Sequence, residues 1–358
     1  MKYTFKEIAF NSTEKRIPVE EDRFTYIGLE HLDSRKLSIT RFGSDVPLKG
    51  EKLVMRKGDI LFGKRNTYLK RVAIAPFDGL FSAHGMVLRP NEKVISRDFF
   101  PFFLSSDYFL DEAIRISVGS LSPTVNWKDL KDLEFEIPDF SKQREIANLL
   151  SAANNLKESY EAMIAATDEM VKSQFIEKFG PSSSWPKEEL YKNVEEMFIG
   201  PFGSSLKNDC FVEKEKGYCV VYEQKHAIEK SIELPFRYVT HDKYQELKRF
   251  EVLPGDIIVS CRGTVGEVYR IPDNAPRGIM HPSIMKIRLK KESFCSEYFV
   301  FAVAEYMKDR ESKNLGTGVK MAVTATDMGK ELFTKPSVTE QNSFISTIHH
   351  ADKSKYLN

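Results

Sequence analysis

Between Ile146 and Met170 the apolar or small positions fall at Ile146, Leu149, Ala153, Leu156, Tyr160, Met163, Thr167 and Met170, in alternating steps of three and four. That spacing is the seam of a coiled coil. No proline or glycine interrupts it before Gly180-Pro181-Ser182, so the pattern predicts one helix over 141–180, with Ser141 as its cap. At 1.5 Å per residue such a rod is roughly 60 Å long and needs a partner helix. A similar pattern, Ile345, Ile348, Ala351 or Asp352, and Tyr356, predicts a second helix over 339–358, about half as long. The end of the long helix is then expected to lie bare or to meet another chain.

Elsewhere the apolar runs are short and bounded by turns. Lys52-Leu53-Val54-Met55, Asp59-Ile60-Leu61-Phe62, Arg71-Val72-Ala73-Ile74-Ala75 and Asp256-Ile257-Ile258-Val259-Ser260 read as strands. The aromatic runs Phe99–Leu104 and Tyr298–Ala304 open helices. The class is α+β, and it occurs twice. Lys57-Gly58-Asp59-Ile60 returns as Pro254-Gly255-Asp256-Ile257, 197 positions on (58 to 255). The same offset pairs Arg65 with Arg262, Thr67 with Thr264, His84 with His281, Phe102 with Phe299 and Gly119 with Gly316. A one-residue slip then pairs Asp129 with Asp327 and Pro138 with Pro336. Each half ends in a proline and a Gln-containing helix start, Ser141-Lys142-Gln143-Arg144-Glu145-Ile146 or Thr339-Glu340-Gln341-Asn342. The expected order is a domain over 1–140, a spacer helix over 141–180, a second domain over 181–338 and a short helix over 339–358.

Charge narrows the functional classes. With 53 Lys+Arg against 52 Asp+Glu the net charge is +1, so the chain is not a uniformly basic body and any nucleic-acid surface must be a local patch. The four cysteines form no CxxC pair and have no His at ligand spacing, which predicts reduced thiols and no metal site. No apolar run approaches a membrane span and the N-terminus lacks a signal-peptide core, so a cytoplasmic location is expected. The sequence has no Walker loop, no GxGxxG after a strand and no Asn-Pro-Pro-aromatic tetrad of an adenine methyltransferase. Asp129-Leu130-Lys131 matches only a sparse nuclease half-motif. No active site is expected in this chain.

The Gly-Asp-Ile repeat, the run Ile137-Pro138 with Gln143-Arg144-Glu145-Ile146-Ala147 leading into the long helix, and Ile199-Gly200-Pro201-Phe202-Gly203-Ser204-Ser205-Leu206-Lys207 together resemble the specificity subunits of type I restriction-modification systems. The resemblance spans nearly the whole chain. It implies two target-recognition domains, each reading one half of a bipartite asymmetric site on double-stranded DNA. The spacer helices then pack as an antiparallel pair that sets the gap. It also implies docking of two methyltransferase subunits, which use S-adenosylmethionine, and of a restriction/translocase subunit. The short second helix departs from the family pattern and leaves room for self-association through the long one. A coiled-coil interaction scaffold that reads no DNA, or an inactive truncated specificity subunit, is the rival reading.

Base reading needs grouped donors and acceptors with cations on phosphate. Gly63-Lys64-Arg65-Asn66-Thr67-Tyr68-Leu69-Lys70-Arg71 supplies Lys64, Arg65, Asn66, Tyr68, Lys70 and Arg71 in one inter-strand loop. Its counterpart Ser260–Gly266 keeps Arg262 and Thr264. His84 and His281 are expected beside these loops, and Asn126 and Lys320 sit on equivalent glycine-relaxed segments. Ile146, Leu149, Leu156, Tyr160, Met163, Met170, Ile345 and Ile348 are the expected packing positions of the spacer helices.

Overall fold

The structure, a computed structural model, describes residues 1–262, 264–314 and 324–356. Contacts divide the chain into two compact units, Met1–Tyr160 and Glu161–Asn358. The division falls inside the helix Phe140–Phe179, later in the chain than the expected domain end at 140.

In the first unit one sheet orders its strands Ala9–Ser12, Met86–Pro90, Ile60–Phe62 and Val72–Ile74, all antiparallel. A second sheet orders Lys15–Arg16, Lys52–Met55, Gly79–Phe81 and Tyr26–Ile27, the last pair parallel. Ile60, Leu61 and Phe62 are all buried because their strand is covered on both faces. Against the first sheet packs an aromatic core in which Phe109 stands 5.1 Å from Phe5, 5.7 Å from Phe62 and 5.6 Å from Phe135. The helices Phe100–Ser105 and Asp107–Arg115 close this core.

The second unit repeats the plan. Its first sheet runs Val194–Ile199, Ile284–Leu289, Ile257–Ser260, Val268–Arg270, and its second runs Arg237–Val239, Cys219–Tyr222, Gly278–Met280, Glu251–Val252. Three strands of the second sheet correspond in the two units, but the fourth is added on opposite edges. Lys15–Arg16 pairs beyond Lys52–Met55, whereas Arg237–Val239 pairs beyond Cys219–Tyr222.

The Gly-Asp-Ile repeat is a structural joint. Gly58 and Gly255 take φ of +87° and +88°, a left-handed conformation that suits glycine. The following aspartates are buried. Asp59 accepts the Arg56 N–H and a two-pronged pair from Arg89 at 2.7 and 2.8 Å. Asp256 accepts the Leu253 N–H and a matching pair from Arg288, both at 2.7 Å.

Each helix start is fixed by the same buried glutamine. Gln143 donates to the carbonyls of Val94 and Pro138 and accepts the Ser96 N–H at 2.6 Å. Gln341 donates to the Pro336 carbonyl and accepts the Cys295 N–H at 2.7 Å.

The heptad seam is not the buried stripe of the long helix. Ile146 and Ala147 dock on the first core, but Leu149 is 71% exposed and Leu156, Met163 and Met170 are also exposed, with Tyr160 half-buried. In the second unit Val171, Phe175 and Phe179, four apart, are buried instead. The reason is aromatic. Phe175 and Phe179 close on Phe344 of the helix Val338–Tyr356 at 5.4 and 5.5 Å and on Tyr298 at 5.9 and 5.3 Å, while Ile345 and Ile348 pack on the same core. The terminal helix thus turns its apolar face to its own unit.

Candidate nucleic-acid interface

At one end of each pair of sheets the chain leaves the strands in loops that lie side by side. In the first unit these are the stretch after Ser12, the loop from Gly63 to Arg71 and the turn from Ser82 to Gly85. In the second they are the stretch after Ile199, the loop from Cys261 to Glu267 and the turn from His281 to Ser283. Hydrogen bonds fix the correspondence. The Ser82 N–H donates to Ile27 O at 3.0 Å and the His281 N–H to Tyr222 O at 2.9 Å, while Gly85 closes onto Ser82 as Ile284 closes onto His281.

His281 therefore occupies the place of Ser82, and the expected equivalence of His84 with His281 is off by two residues. His84 instead matches Ser283. The fixed offset failed because hairpin and turn lengths differ between the units: Ile60 pairs Ile74 and Leu88, whereas Ile257 pairs Arg270 and Ile287. The histidines that do correspond are His31 and His226. Each accepts, at Nδ1 and at 3.0 Å, the N–H three residues before it, from Gly28 and Glu223. Both lie 195 positions apart in the sequence (31 to 226), a signal that the offset of 197 hid.

The nine-residue basic loop of the first unit is only partly available. Lys70, in a left-handed conformation, donates to Asp107 at 2.6 Å and Asp111 at 2.7 Å. Arg71 donates to the carbonyls of Leu29 and Arg65, and burial pushes its guanidinium below its ordinary pKa. These two cations hold the loop together. Asn66 is half-buried with φ +55°, its N–H on the Pro123 carbonyl. Arg65 and Tyr68 are exposed, and the Arg65 guanidinium donates to Ser122 Oγ at 3.3 Å. Lys64 is half-buried. The segment carrying Asn126 joins this loop through the Val125 N–H on Lys64 O and the Arg65–Thr124 bridge. His84 is exposed at the adjoining turn.

In the second unit Arg262 and Thr264 are exposed, so Arg65 and Arg262 hold equivalent, outward positions. His281 meets Ser283 Oγ at 2.8 Å, and burial lowers its pKa, with Arg237 and Arg262 acting in the same direction. Lys320 lies outside the described residues. Phe202, 84% exposed in the Ile199–Lys207 stretch, is a further exposed group, and Gly200 of that stretch abuts the His281 carbonyl closely enough that a Cβ would stand 2.3 Å from it. Among the described residues no group of three His, Cys, Asp or Glu could hold a metal. Burial raises the Cys261 thiol to about 11, so it is a protonated packing group.

His226 makes the second unit sensitive to acid. The ring is fully buried, stacks on Phe236 at 4.7 Å, and burial lowers its pKa below 6.5, with Lys225 adding to this against an opposing pull from Glu223. A depressed histidine binds fewer protons folded than unfolded, so stability is full above about 6.5 and is lost as pH falls below it. The urea midpoint of the second unit, read from Trp185 fluorescence in a Trp127→Phe background, is expected to drop between pH 7.5 and 5.5. His226→Gln should flatten that dependence, and an unchanged slope would contradict the assignment.

Residues 24–165 match the family described as the type I restriction modification DNA specificity domain. Over 346 residues the chain is 24% identical to a protein named as the specificity subunit of the type I restriction enzyme MjaX from Methanocaldococcus jannaschii, covering 90% of this chain and 79% of that one. It is 23% identical over 181 residues to the EcoDI specificity subunit of Escherichia coli, covering 49% and 40%. In fold it is similar to the type I S subunit from M. genitalium, with a TM-score of 0.57, 13% identity and coverage of 99% and 90%. A chain from a structure of type I restriction-modification complex assembly and conformational transition gives 0.55, at 18% identity and the same coverage.

Proposed function

From the premise that this chain carries a type I restriction-modification DNA specificity domain and is related to type I specificity subunits, we propose that its two units each read one half of a bipartite duplex target. The observation that carries the reading is the shared end of the sheets. In both units one exposed arginine, Arg65 or Arg262, stands on the equivalent loop, while the surrounding residues differ. Equivalent frames with unlike loops suit two unlike half-sites. Arginine on such a loop can address guanine edges in the major groove, and cations beside it fix register on phosphate.

The chain then directs chemistry done elsewhere. Two methyltransferase subunits holding S-adenosylmethionine would methylate adenine, and a restriction/translocase subunit would complete the complex. The exposed apolar residues Leu149, Leu156, Met163 and Met170 support docking of such subunits along the long helix. Among the described residues no helix is long and apolar enough to cross a membrane.

The test is co-expression with a methyltransferase subunit of the same system, with adenine methylation mapped by long-read sequencing. A split motif with a constant gap is expected, and absence of methylation with an active partner would favour a scaffold role. Arg65→Ala is expected to relax one half of the motif only, and Arg262→Ala the other, each by about 1–3 kcal/mol of discrimination. Equal loss in both halves for either variant would overturn the division of labour.

A further inference from the structure

We propose that a cleft in the first unit, formed by Asn11, Ser12, Thr13, Lys15 and Lys64, holds a single phosphodiester of the DNA backbone and anchors that half-site. The inference rests on the DNA-binding reading above and gives one part of that surface a specific ligand.

The cleft has a volume of about 300 Å³ and is walled on its apolar side by Leu53, Met86 and Trp127. Three elements converge on it: the end of the strand Ala9–Ser12, the start of the basic loop at Lys64, and the turn Ala83–Gly85. Its five polar side chains all carry hydrogen-bond donors. Among the described residues none of the five has an internal side-chain hydrogen bond or an ion pair, and none is a carboxylate.

Lys64 is half-buried and Lys15 is exposed, so two ammonium groups line a cleft that has no carboxylate among its walls. Burial lowers the Lys64 pKa, and Lys15 pushes it the same way. This contrasts with Lys70 six residues on, which is neutralised by two aspartates. An arrangement of donors and uncompensated positive charge is complementary to a singly charged anion whose oxygens accept several bonds. A phosphodiester satisfies that chemistry at every step of a duplex, and a free inorganic phosphate would satisfy it too.

The second unit does not repeat the cleft. Its strand register sets Met197, Phe198 and Ile199 at the positions of Asn11, Ser12 and Thr13, and the protonated thiol of Cys261 stands where Lys64 does. The anchor therefore belongs to one half-site alone.

The experiment measures affinity of the methyltransferase-bound complex for its duplex across salt concentrations. Lys64→Gln is expected to weaken binding alike for all sequences and to make the plot of log affinity against log salt shallower by about one unit, with Lys64→Arg restoring the slope. A scan of neutral methylphosphonate linkages should find one position that weakens the wild type and leaves Lys64→Gln unaffected. Competition by inorganic phosphate at millimolar levels, without that position, would assign the cleft to the free ion and overturn the anchor. So would an unchanged slope, or a Lys64→Gln complex whose methylated motif changes at one base. The two readings fail separately: a slope made shallower by Lys64→Gln on non-specific duplex sustains the anchor even if no split motif is methylated, and a split motif with a slope indifferent to Lys64 removes the anchor alone.

Discussion

Asp256→Ala is expected to destabilise the second unit by about 3 kcal/mol while leaving the first unchanged. The Asp256 carboxylate is 2% exposed and holds both prongs of Arg288 together with the Leu253 N–H. Removing it strands a guanidinium that is itself largely covered, and Glu196, at 3.1 Å, contacts only one of its nitrogens. It also frees the turn at Gly255, which sets the entry of the fully buried strand Ile257–Ser260. Urea titration followed at Trp185, with Trp127 as the internal reference for the first unit, separates the two responses. Asp256→Asn keeps an acceptor for the Leu253 N–H and should lie between. A loss below about 1 kcal/mol for the alanine variant would mean that the pair is not what fixes the turn.

Gln143→Leu is the second large effect. Leucine is close in size, so the core around the site stays filled, but two carbonyls and one N–H lose their buried partner. Each such orphan costs about 1–3 kcal/mol, and a total of roughly 3 kcal/mol is expected. The readout is local as well as global. Hydrogen exchange at Ser96 and over the first turns of the long helix should accelerate together, because the glutamine is what ties that helix start to the segment at Val94–Ser96. Faster exchange at Ser96 with the helix start unchanged would show that the helix is held by Ile146 and Ala147 packing instead.

Much of this was readable from the chain. The glycine-aspartate turns, the short apolar strands and the glutamine at each helix start are local signals, set within a few residues, and they stand where the pattern placed them. What could not be read is set by residues distant in sequence. Lys70 and Arg71 look as free as Arg65 until Asp107, Asp111 and the Leu29 carbonyl are brought to them. The histidine pairing failed for a geometric reason: strands keep register by hydrogen bonding, while a constant offset ignores the loops between them. The seam of the long helix was visible as a repeat, but a repeat does not say which stripe wins when Phe344 and Tyr298 offer aromatic contact one position away. Likewise the cleft at Lys64 needed Asn11, Ser12 and Thr13, fifty residues upstream and unremarkable as a run.

The fourth strand of the second sheet, added on opposite edges in the two units, bears on how such a protein can change over generations. The three strands common to both sheets fix where the loops emerge, and the edge beyond them is left to each unit, which in the first brings Lys15 to the cleft at Lys64. The helix His241–Glu246, which follows the added strand Arg237–Val239, extends the second unit at that edge while the pairings of Cys219–Tyr222 with Gly278–Met280 and of Glu251–Val252 with Gly278–Met280 stay in register. Each half can therefore acquire new loops by inheritance of small edits, and one half can drift in preference while its sister keeps the old one.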